Sequence, residues 1–493
     1  MKKAVKIHPK DNVAVALQPL KQGEVISLGD QEVTLTEDIE QGHKFALADL
    51  AENTNIIKYG TVIGHTTKAV KTGGHIHVEN IKTNLGELLE YTYNPETFEQ
   101  PAAEGRTFRG FVRKNGEVGI RNEIWIFPTV GCVNNIVQKV EQKAQSLIKG
   151  SIDGIHAFTH PYGCSQMGGD QENTRRVLAD LIVHPNAGGV LILGLGCENS
   201  NIDVLKPYLG EYDSERVRFV VAQQEEDEIA ACMKQIEELV EIVSKDERTE
   251  CPASKLRIGL KCGGSDGLSG ITANPVVGRF SDLLVADGGT TILAEVPEMF
   301  GAETQLMNRA ANEEIFRKTV DLINNFKEYF TANHQTIYEN PSPGNKAGGI
   351  STLEDKSNGC VQKSGSAVIS GVLEYGDRIT NNGLNLLSTP GNDLVAATAE
   401  AAAGCQMVLF TTGRGTPFAT AVPTIKIATN SRLANAKKNW IDLNAGRAIE
   451  DSSIEEVGEE LYDLVIETAN GKKCCSEVSG YHDIAIFKQG VTL

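Results

Sequence analysis

Three histidines near the start of the chain have the residue type and spacing that suit a metal ion. His43 stands in the segment GHK, and His75 and His77 stand in GGHIHVEN. Residues two apart in a β-strand point to the same face, so His75 and His77 can meet one ligand together. Imidazole is a suitable ligand for Fe²⁺. An HxH pair on an edge strand is equally compatible with two surface histidines, so the spacing leaves both interpretations open.

A glycine-rich loop at residues 261–270, KCGGSDGLSG, contains a second set of reactive side chains. The preceding segment, KLRIGL, predicts a buried strand, and residues 274–284 predict a helix. Glycine loops between a strand and a helix are where α/β sheets bind ligands, because the amide groups at the helix start point into the crevice. Lys261 and Asp266 are therefore candidates for acid or base catalysis.

Three cysteines each follow a predicted buried strand. Cys132 follows EIWIFPTVG, Cys164 follows GIHAFTHPYG, and Cys197 follows GGVLILGLG. Parallel strands end at a common edge of a sheet, so we expect these thiols to lie near one another. Together with Cys262 or Cys360 they could hold an iron–sulfur cluster. Buried structural thiols are the ordinary alternative.

Three more residues stand where they could act on a substrate. His160 ends a predicted strand and is a further acid or base candidate. Arg121 and Arg414 are candidates for binding a carboxylate, which a guanidinium group can contact through two parallel hydrogen bonds. Arg414 stands in the glycine loop TTGRGTP after a predicted strand. A surface arginine is the alternative there, and the flanking glycines make it less attractive.

The predicted elements divide the chain into four parts. Residues 1–92 contain short alternating stretches separated by glycines, which predicts a small β-rich domain. Residues 93–108 lack periodicity and predict a linker. In residues 109–250 and 251–493 strands alternate with helices, which predicts two α/β regions with parallel sheets, the second catalytic. Residues 338–365 are rich in Gly, Pro and Ser and predict a long functional loop.

The composition and the missing motifs exclude several classes of function. The 493 residues, 40% hydrophobic and 23% charged, predict a soluble multidomain protein. The formal net charge of −18 argues against nucleic acid and anionic membranes as partners, and an anionic substrate would need local cations. The sequence has no Walker A motif, dinucleotide-binding fingerprint or nucleophile elbow. The chain begins without an apolar export signal, so we expect a cytoplasmic protein with free thiols.

Assembled in order, these segments resemble the altronate/galactarate dehydratase family. The likeness runs essentially end to end and rests on GHKFAL, GFVRKNGEVGIRNEIWIFPTVGCVN, YGCSQMGGD, KCGGSDGLSGITANPVVGRFSD, LSTPGND and FTTGRGTPFATAVPTIKIATNS. The resemblance implies an N-terminal SAF-like (antifreeze-like) β domain over residues 1–92, followed by the catalytic α/β region.

The resemblance also implies a hydro-lyase that removes water from a six-carbon sugar acid with Fe²⁺, or with Mn²⁺ in some members. Dehydration of D-altronate would give 2-dehydro-3-deoxy-D-gluconate in hexuronate catabolism, and galactarate is the neighbouring substrate. A divalent cation would offset the charge that develops when the proton at C2 leaves. We expect the three histidines as metal ligands, with an iron–sulfur cluster on the three strand-end cysteines as the alternative. The alternative function, a non-enzymatic sugar-acid binding protein, stays open. Whether the chain forms a homo-oligomer also stays open.

Overall fold

The computed structural model of the chain describes residues 2–86 and 89–493. Its N-terminal domain consists of short antiparallel strands in three sheets, with the orders β1-β2-β5-β8, β3-β4 and β6-β7-β9. The strands are β1 (Ala4–Val5), β2 (Val13–Ala16), β3 (Val25–Leu28), β4 (Gln31–Thr34), β5 (Lys44–Ala46), β6 (Asn55–Lys58), β7 (Thr61–Thr66), β8 (His75–Ile76) and β9 (Ile81–Lys82). The predicted β-rich domain is therefore confirmed.

Residues 89–106 form no helix or strand and run along the C-terminal part of the chain. The Tyr91 hydroxyl donates to Glu303, and the Tyr93 hydroxyl donates to the Ala310 carbonyl over 2.7 Å. Further on, the Gly105 amide donates to Asp287. These contacts fix the path of the segment, and its assignment as a linker over residues 93–108 stays a prediction.

The second region opens with a hairpin and continues as a parallel sheet. Strands β10 (Thr107–Val112) and β11 (Val118–Gly119) form the hairpin, with Gly116 at φ +81° in the turn that Asn115-Gly116 predicts. The parallel sheet has the order β13-β12-β14-β15. Its strands and helices are β12 (Glu123–Pro128), β13 (Gly154–Ala157), β14 (Ala187–Gly194), β15 (Val217–Val221), α1 (Asn134–Ala144), α2 (Gly168–Ile182), α3 (Ile202–Leu205) and α4 (Glu228–Val243). Strand β16 (Thr249–Pro252) returns to pair with β10.

The C-terminal region is built on a seven-stranded parallel sheet with the order β19-β20-β18-β17-β21-β22-β23. The strands are β17 (Arg257–Cys262), β18 (Thr290–Leu293), β19 (Ile369–Leu373), β20 (Gly383–Leu387), β21 (Met407–Thr412), β22 (Thr424–Ala428) and β23 (Leu443–Asn444). The helices are α5 (Ala273–Ala286), α6 (Glu303–Met307), α7 (Glu313–Ala332), α8 (Pro343–Ala347), α9 (Leu353–Cys360), α10 (Asp393–Ala402), α11 (Ser431–Ala436), α12 (Ile454–Ala469) and α13 (Cys475–Val478). The predicted α/β class with parallel sheets is confirmed.

The segment predicted as a long loop, residues 338–365, contains two helices instead. Helix α8 is short, and every residue of α9 is buried although its sequence, LEDKSNGC, is largely polar. That burial is possible because charged partners from the N-terminal domain reach it, as described below. A buried polar helix has no apolar periodicity, which is the signal that sequence reasoning uses.

The two parallel sheets share one apolar core. Trp125 and Phe127 of the four-stranded sheet belong to the same buried cluster as Ile292, Leu387 and Val408 of the seven-stranded sheet. This shared core fixes the position of the second region relative to the C-terminal region. Within the described residues, no helix combines the length and the apolar character needed to cross a bilayer.

Candidate active site

The three predicted metal-binding histidines lie together at one end of the N-terminal domain. His75 begins β8, which pairs with β5, and His43 stands directly before β5. His43 Nδ1 lies 2.9 Å from His75 Nε2, and the His77 ring centroid is 4.8 Å from that of His43. One nitrogen atom from each ring lies within 4.8 Å of the other two. The structure therefore brings all three side chains to one point.

The donor set of this histidine triad fits a divalent cation. His43 Nε2 and His77 Nδ1 are buried and have no hydrogen-bond partner in the part of the chain that the structure describes. A buried nitrogen without a partner costs free energy unless a ligand occupies it. Burial lowers the pKa of all three imidazoles, that of His77 to about 4. Neutral imidazole is the form that binds a metal.

The triad faces two glycine loops of the C-terminal region. The backbone of Gly42, next to His43, touches both loops so closely that side chains would not fit. A methyl group added to Gly267 would lie 1.9 Å from the Gly42 oxygen, and one added to Gly349 would lie 2.3 Å from it. The Gly267 amide also donates to the Gly348 carbonyl over 2.7 Å. Glycine permits this close approach of backbones, which forms one wall of the site.

A buried ion triad holds the two domains together beside the histidines. Lys44 and Lys58 of the N-terminal domain each lie 2.9 Å from a different carboxylate oxygen of Asp355 on α9. All three side chains are buried. Burial opposes ionisation of Asp355, but the two ammonium groups outweigh it and hold the pKa of that carboxyl well below its usual range. Sequence reasoning missed this contact because Lys44 and Lys58 stand in strand patterns that do not indicate a partner some 300 residues away.

Arg414 lies where a substrate carboxylate could reach it. The side chain is exposed, and within residues 2–86 and 89–493 it makes no hydrogen bond or ion pair. It lies against the first turn of α8, near Gly344, while the residues after α8, Gly348 and Gly349, contact Gly42 next to His43. Five helical residues span only about 7 Å, so Arg414 and the histidine triad flank the same short helix. The predicted role of Arg414 stays a prediction that this position favours.

Lys261 is fully buried between two carboxylates. Its ammonium group lies 2.6 Å from Glu295 and 2.9 Å from Asp393. Burial opposes its charge, but these carboxylates outweigh it and raise the pKa of Lys261 well above its usual range. An ammonium group that holds its proton so firmly is a poor base. The predicted catalytic role does not fit this environment, and Lys261 instead neutralises buried negative charge.

Asp266 ties its own loop to a neighbouring strand end. One carboxylate oxygen accepts from the Leu268 amide and the Ser269 hydroxyl, and the other accepts from Thr429 and Asn430. Burial raises the pKa of Asp266. Because four donors from the protein already occupy the carboxylate, it positions the loop that contacts Gly42. The predicted role as a catalytic acid or base is not supported by these contacts.

His160 and Arg121 are also engaged by the protein itself. His160 Nε2 contacts the Pro128 carbonyl, and its Nδ1 accepts from the Tyr162 amide, so both ring nitrogens are occupied. Burial lowers the pKa of His160 to about 4. The guanidinium of Arg121 donates to both carboxylate oxygens of Glu477 and to three backbone carbonyls. The roles of His160 as an acid or base and of Arg121 as a substrate contact stay predictions, and these contacts do not favour them, because both groups already have partners in the protein.

The three strand-end cysteines occupy the positions that the sequence predicts. Cys132, Cys164 and Cys197 follow the adjacent strands β12, β13 and β14, and all three are exposed. Hydrogen bonds connect their loops: the Gly131 amide donates to Tyr162, and the Ser200 amide donates to Gly163. The loops are thus neighbours, and an iron–sulfur cluster on these thiols stays an alternative prediction.

A second buried thiol group lies at the end of β17. The sulfur atoms of Cys262 and Cys360 are 3.6 Å apart, and Cys262 donates to Glu298 over 2.8 Å. Lys356 lies 2.7 Å from the same carboxylate, and Lys363 lies 3.9 Å from it. Two ammonium groups so close to Glu298 repel a divalent cation. These residues therefore form an ion network, in which the positive charge comes from lysine.

The chain thus combines an antiparallel domain that supplies three histidines with a parallel α/β region whose glycine loops lie next to them. This arrangement is that of an enzyme whose site is formed by two domains. Three family models match it in succession: the altronate/galactarate dehydratase SAF domain over residues 2–84, the D-galactarate dehydratase/altronate hydrolase second domain over 110–244, and the D-galactarate/altronate dehydratase C-terminal domain over 253–492. The chain belongs to the altronate/galactarate dehydratase family.

Curated relatives are similar over their whole length. The chain is 52% identical to the altronate dehydratase of Escherichia coli, with 99% of each chain covered, and 53% identical to that of Bacillus subtilis, with 100% of each covered. It is 36% identical to the galactarate dehydratase (L-threo-forming) of Escherichia coli, over 98% of this chain and 96% of the relative. The likeness therefore includes both sides of the histidine site.

Proposed function

We propose that the protein dehydrates D-altronate to 2-dehydro-3-deoxy-D-gluconate as a metal-dependent hydro-lyase of hexuronate catabolism. The observation that carries the substrate is the identity of 52% and 53%, over essentially the whole chain, to two altronate dehydratases. Identity to the galactarate enzyme is lower, at 36%. The ten free thiols among the described residues accord with a cytoplasmic setting, which is part of the proposal.

In this proposal His43, His75 and His77 would hold Fe²⁺ or Mn²⁺. When bound there, the cation supplies Lewis-acid stabilisation of the negative charge that develops next to the substrate carboxylate. The unpartnered buried nitrogens of His43 and His77 support this assignment. The triad consists of neutral donors, so it can accept a cation without first releasing protons near neutral pH.

The chain's own side chains orient the substrate and shape its surroundings. Arg414 would bind the substrate carboxylate, because its guanidinium is exposed and unpaired within the described residues and flanks α8. Lys346, half-buried on α8, adds positive charge in the same region. These local cations offset the field of a chain with a net charge of −18. The close contact of Gly42 with Gly267 and Gly349 leaves no room for side chains and closes one wall of the site.

The test is an assay of metal-stripped full-length protein with D-altronate and, separately, with galactarate. Activity is followed as formation of a 2-keto acid, with no addition, with Fe²⁺ and with Mn²⁺. We expect turnover of D-altronate only after metal is restored, and little turnover of galactarate. Full turnover by metal-free protein would contradict the metal dependence. Turnover of galactarate alone would show that galactarate, and not D-altronate, is the substrate. Binding without turnover of either sugar acid would favour a binding protein.

A further inference from the structure

A second group of side chains that suit a metal ion lies on the second region, the one with the four-stranded parallel sheet, away from the histidine triad. It consists of Glu141 on α1, His156 on β13 and His482 in the C-terminal segment. One ligand atom from each lies within 4.8 Å of the other two. Glu141 Oε1 is 3.3 Å from His482 Nε2 and 3.8 Å from His156 Nδ1. All three side chains are partly exposed, so a cation could reach them from solvent.

These distances are close to those of tetrahedral coordination. Zn²⁺ binds imidazole nitrogen and carboxylate oxygen at about 2.0–2.1 Å, which places neighbouring ligand atoms of a tetrahedron about 3.4 Å apart. The two distances from Glu141 lie on either side of that value. Two histidines and one carboxylate leave a fourth position for water, a common arrangement for zinc and related ions. The geometry therefore needs only a small adjustment to bind such an ion.

A further carboxylate supports the orientation of His156. Glu123 Oε1 lies 3.8 Å from Nε2 of His156, the ring nitrogen that faces away from Glu141, and the other oxygen of Glu123 accepts from the Trp125 indole over 2.7 Å. Metal-binding histidines commonly have a carboxylate at their second nitrogen. Gly154 makes room for the ring, because a methyl group there would lie 2.3 Å from His156 Nε2.

His482 belongs to a C-terminal segment, residues 481–493, that forms no helix and packs on the rest of the chain through the buried Ile484 and Ile486. Its backbone is held by hydrogen bonds to separate parts of the chain, among them those from Asp483 to Ala419, from Gln489 to Asp170 and from Leu493 to Ser165. We propose that Glu141, His156 and His482 form a second cation site, of the Zn²⁺ class, which fastens this segment to the second region. The site is separate from the proposed catalytic triad and serves a structural purpose.

The binding test uses full-length, metal-stripped protein in which His75→Ala and His77→Ala remove the catalytic triad. Zn²⁺ is titrated calorimetrically into this protein and into versions that also contain His482→Gln or Glu141→Gln. We expect one fewer Zn²⁺ per chain in each of the latter two. Glu123→Gln, which keeps an acceptor for Trp125, should weaken the site by about 10–100-fold. His334→Asn, an exposed histidine elsewhere, should change nothing.

A second measurement detects the fastening itself. Trypsin can cut after Lys488, which is exposed in the C-terminal segment. With the triad removed, Zn²⁺ should slow this cleavage several-fold in the protein that retains His482 and should have no effect after His482→Gln. Equal Zn²⁺ stoichiometry with and without His482 and Glu141 would overturn the proposal. So would equal cleavage with Zn²⁺ and with a chelator at the same pH, because a simple ion pair of these side chains would behave in that way.

Discussion

Lys44 of the N-terminal domain donates a hydrogen bond to Asp355 of the C-terminal region over 2.9 Å, and both side chains are completely buried. Lys44 follows His43 directly and also donates to the Gly349 carbonyl over 3.1 Å. One ion pair therefore joins the histidine triad to the glycine loop that faces it. This contact holds the residue next to His43 in place, beside the point where the Gly42 backbone meets the glycine loops.

Replacing Lys44 with methionine should destabilise the protein far more than removing an exposed lysine does. The variant leaves Asp355 buried with one ammonium partner, which we expect to cost about 3–5 kcal/mol of the free energy of unfolding and most of the activity. Denaturant unfolding and turnover of D-altronate measure the two effects. The control is Lys71→Ala, which removes an exposed pair with Asp49 in the same domain and should cost no more than about 1 kcal/mol. Equal stability of both variants would contradict a joining role for Lys44.

Metal content distinguishes the histidine triad from the strand-end cysteines as the site of the catalytic metal. His75→Ala or His77→Ala should lower bound Fe²⁺ or Mn²⁺ more than about tenfold, because each removes one of three ligands. Cys164→Ser and Cys197→Ser should leave the metal content nearly unchanged. Metal analysis of anaerobically purified protein measures both. Acid-labile sulfide that disappears with either cysteine change would show that an iron–sulfur cluster occupies the strand-end thiols instead.

Local periodicity predicts the elements and part of the site. Strand alternation predicts that His75 and His77 meet, and the three cysteines share an edge because parallel strands end together. The two rings do meet, with centroids 5.5 Å apart, although β8 ends at Ile76 and His77 stands in the bend that follows. Neither inference needs a contact that is distant in sequence. The approach of His43 to this pair follows from the pairing of β5 with β8, for which the sequence alone gives no register.

The predicted roles that the structure does not favour belong to residues whose partners are distant in the sequence. Lys261 appears free in its glycine loop, but the carboxylates that neutralise it stand 34 and 132 residues further along. Glu295, one of these, has a left-handed backbone at φ +68°, a strained conformation that its neighbours must hold in place. Arg121 is bound by Glu477, 356 residues away. The sequence therefore shows that a charged residue stands next to a glycine, but it does not show whether another residue already pairs with that charge.

Arg414→Ala should impair substrate binding with little effect on stability. The guanidinium is exposed and unpaired within residues 2–86 and 89–493, so its loss breaks no hydrogen bond or ion pair of the described fold. Loss of a charged hydrogen bond to the substrate carboxylate is worth roughly 1.5–3 kcal/mol, which corresponds to a KM about 10–150-fold higher. Steady-state kinetics with D-altronate measures this change. Arg432→Ala, an exposed arginine on α11, is the matched control and should leave KM unchanged. A normal KM for Arg414→Ala would remove Arg414 from the site.

Glu400 should make the protein less stable as the pH rises. This residue of α10 is buried, and within the described chain neither carboxylate oxygen has a hydrogen-bond partner. Burial raises the pKa of Glu400 from its ordinary 4.5 to about 8. The folded state therefore holds the proton more tightly than the unfolded state does. Between these two pKa values the free energy of unfolding falls as the pH increases, and the stabilisation is fully present only below the lower one.

Glu400→Gln tests this dependence, because glutamine has nearly the same shape and cannot ionise. We expect wild type and variant to have similar stability near pH 5 and the variant to be more stable near pH 8. Urea unfolding at several pH values between these limits gives the slope directly. Glu237→Gln removes the same charge from an exposed position on α4 and should leave the slope as it is. If Glu400→Gln changes the stability by the same amount at every pH, the carboxyl does not titrate in this range, and its burial affects the fold only through packing.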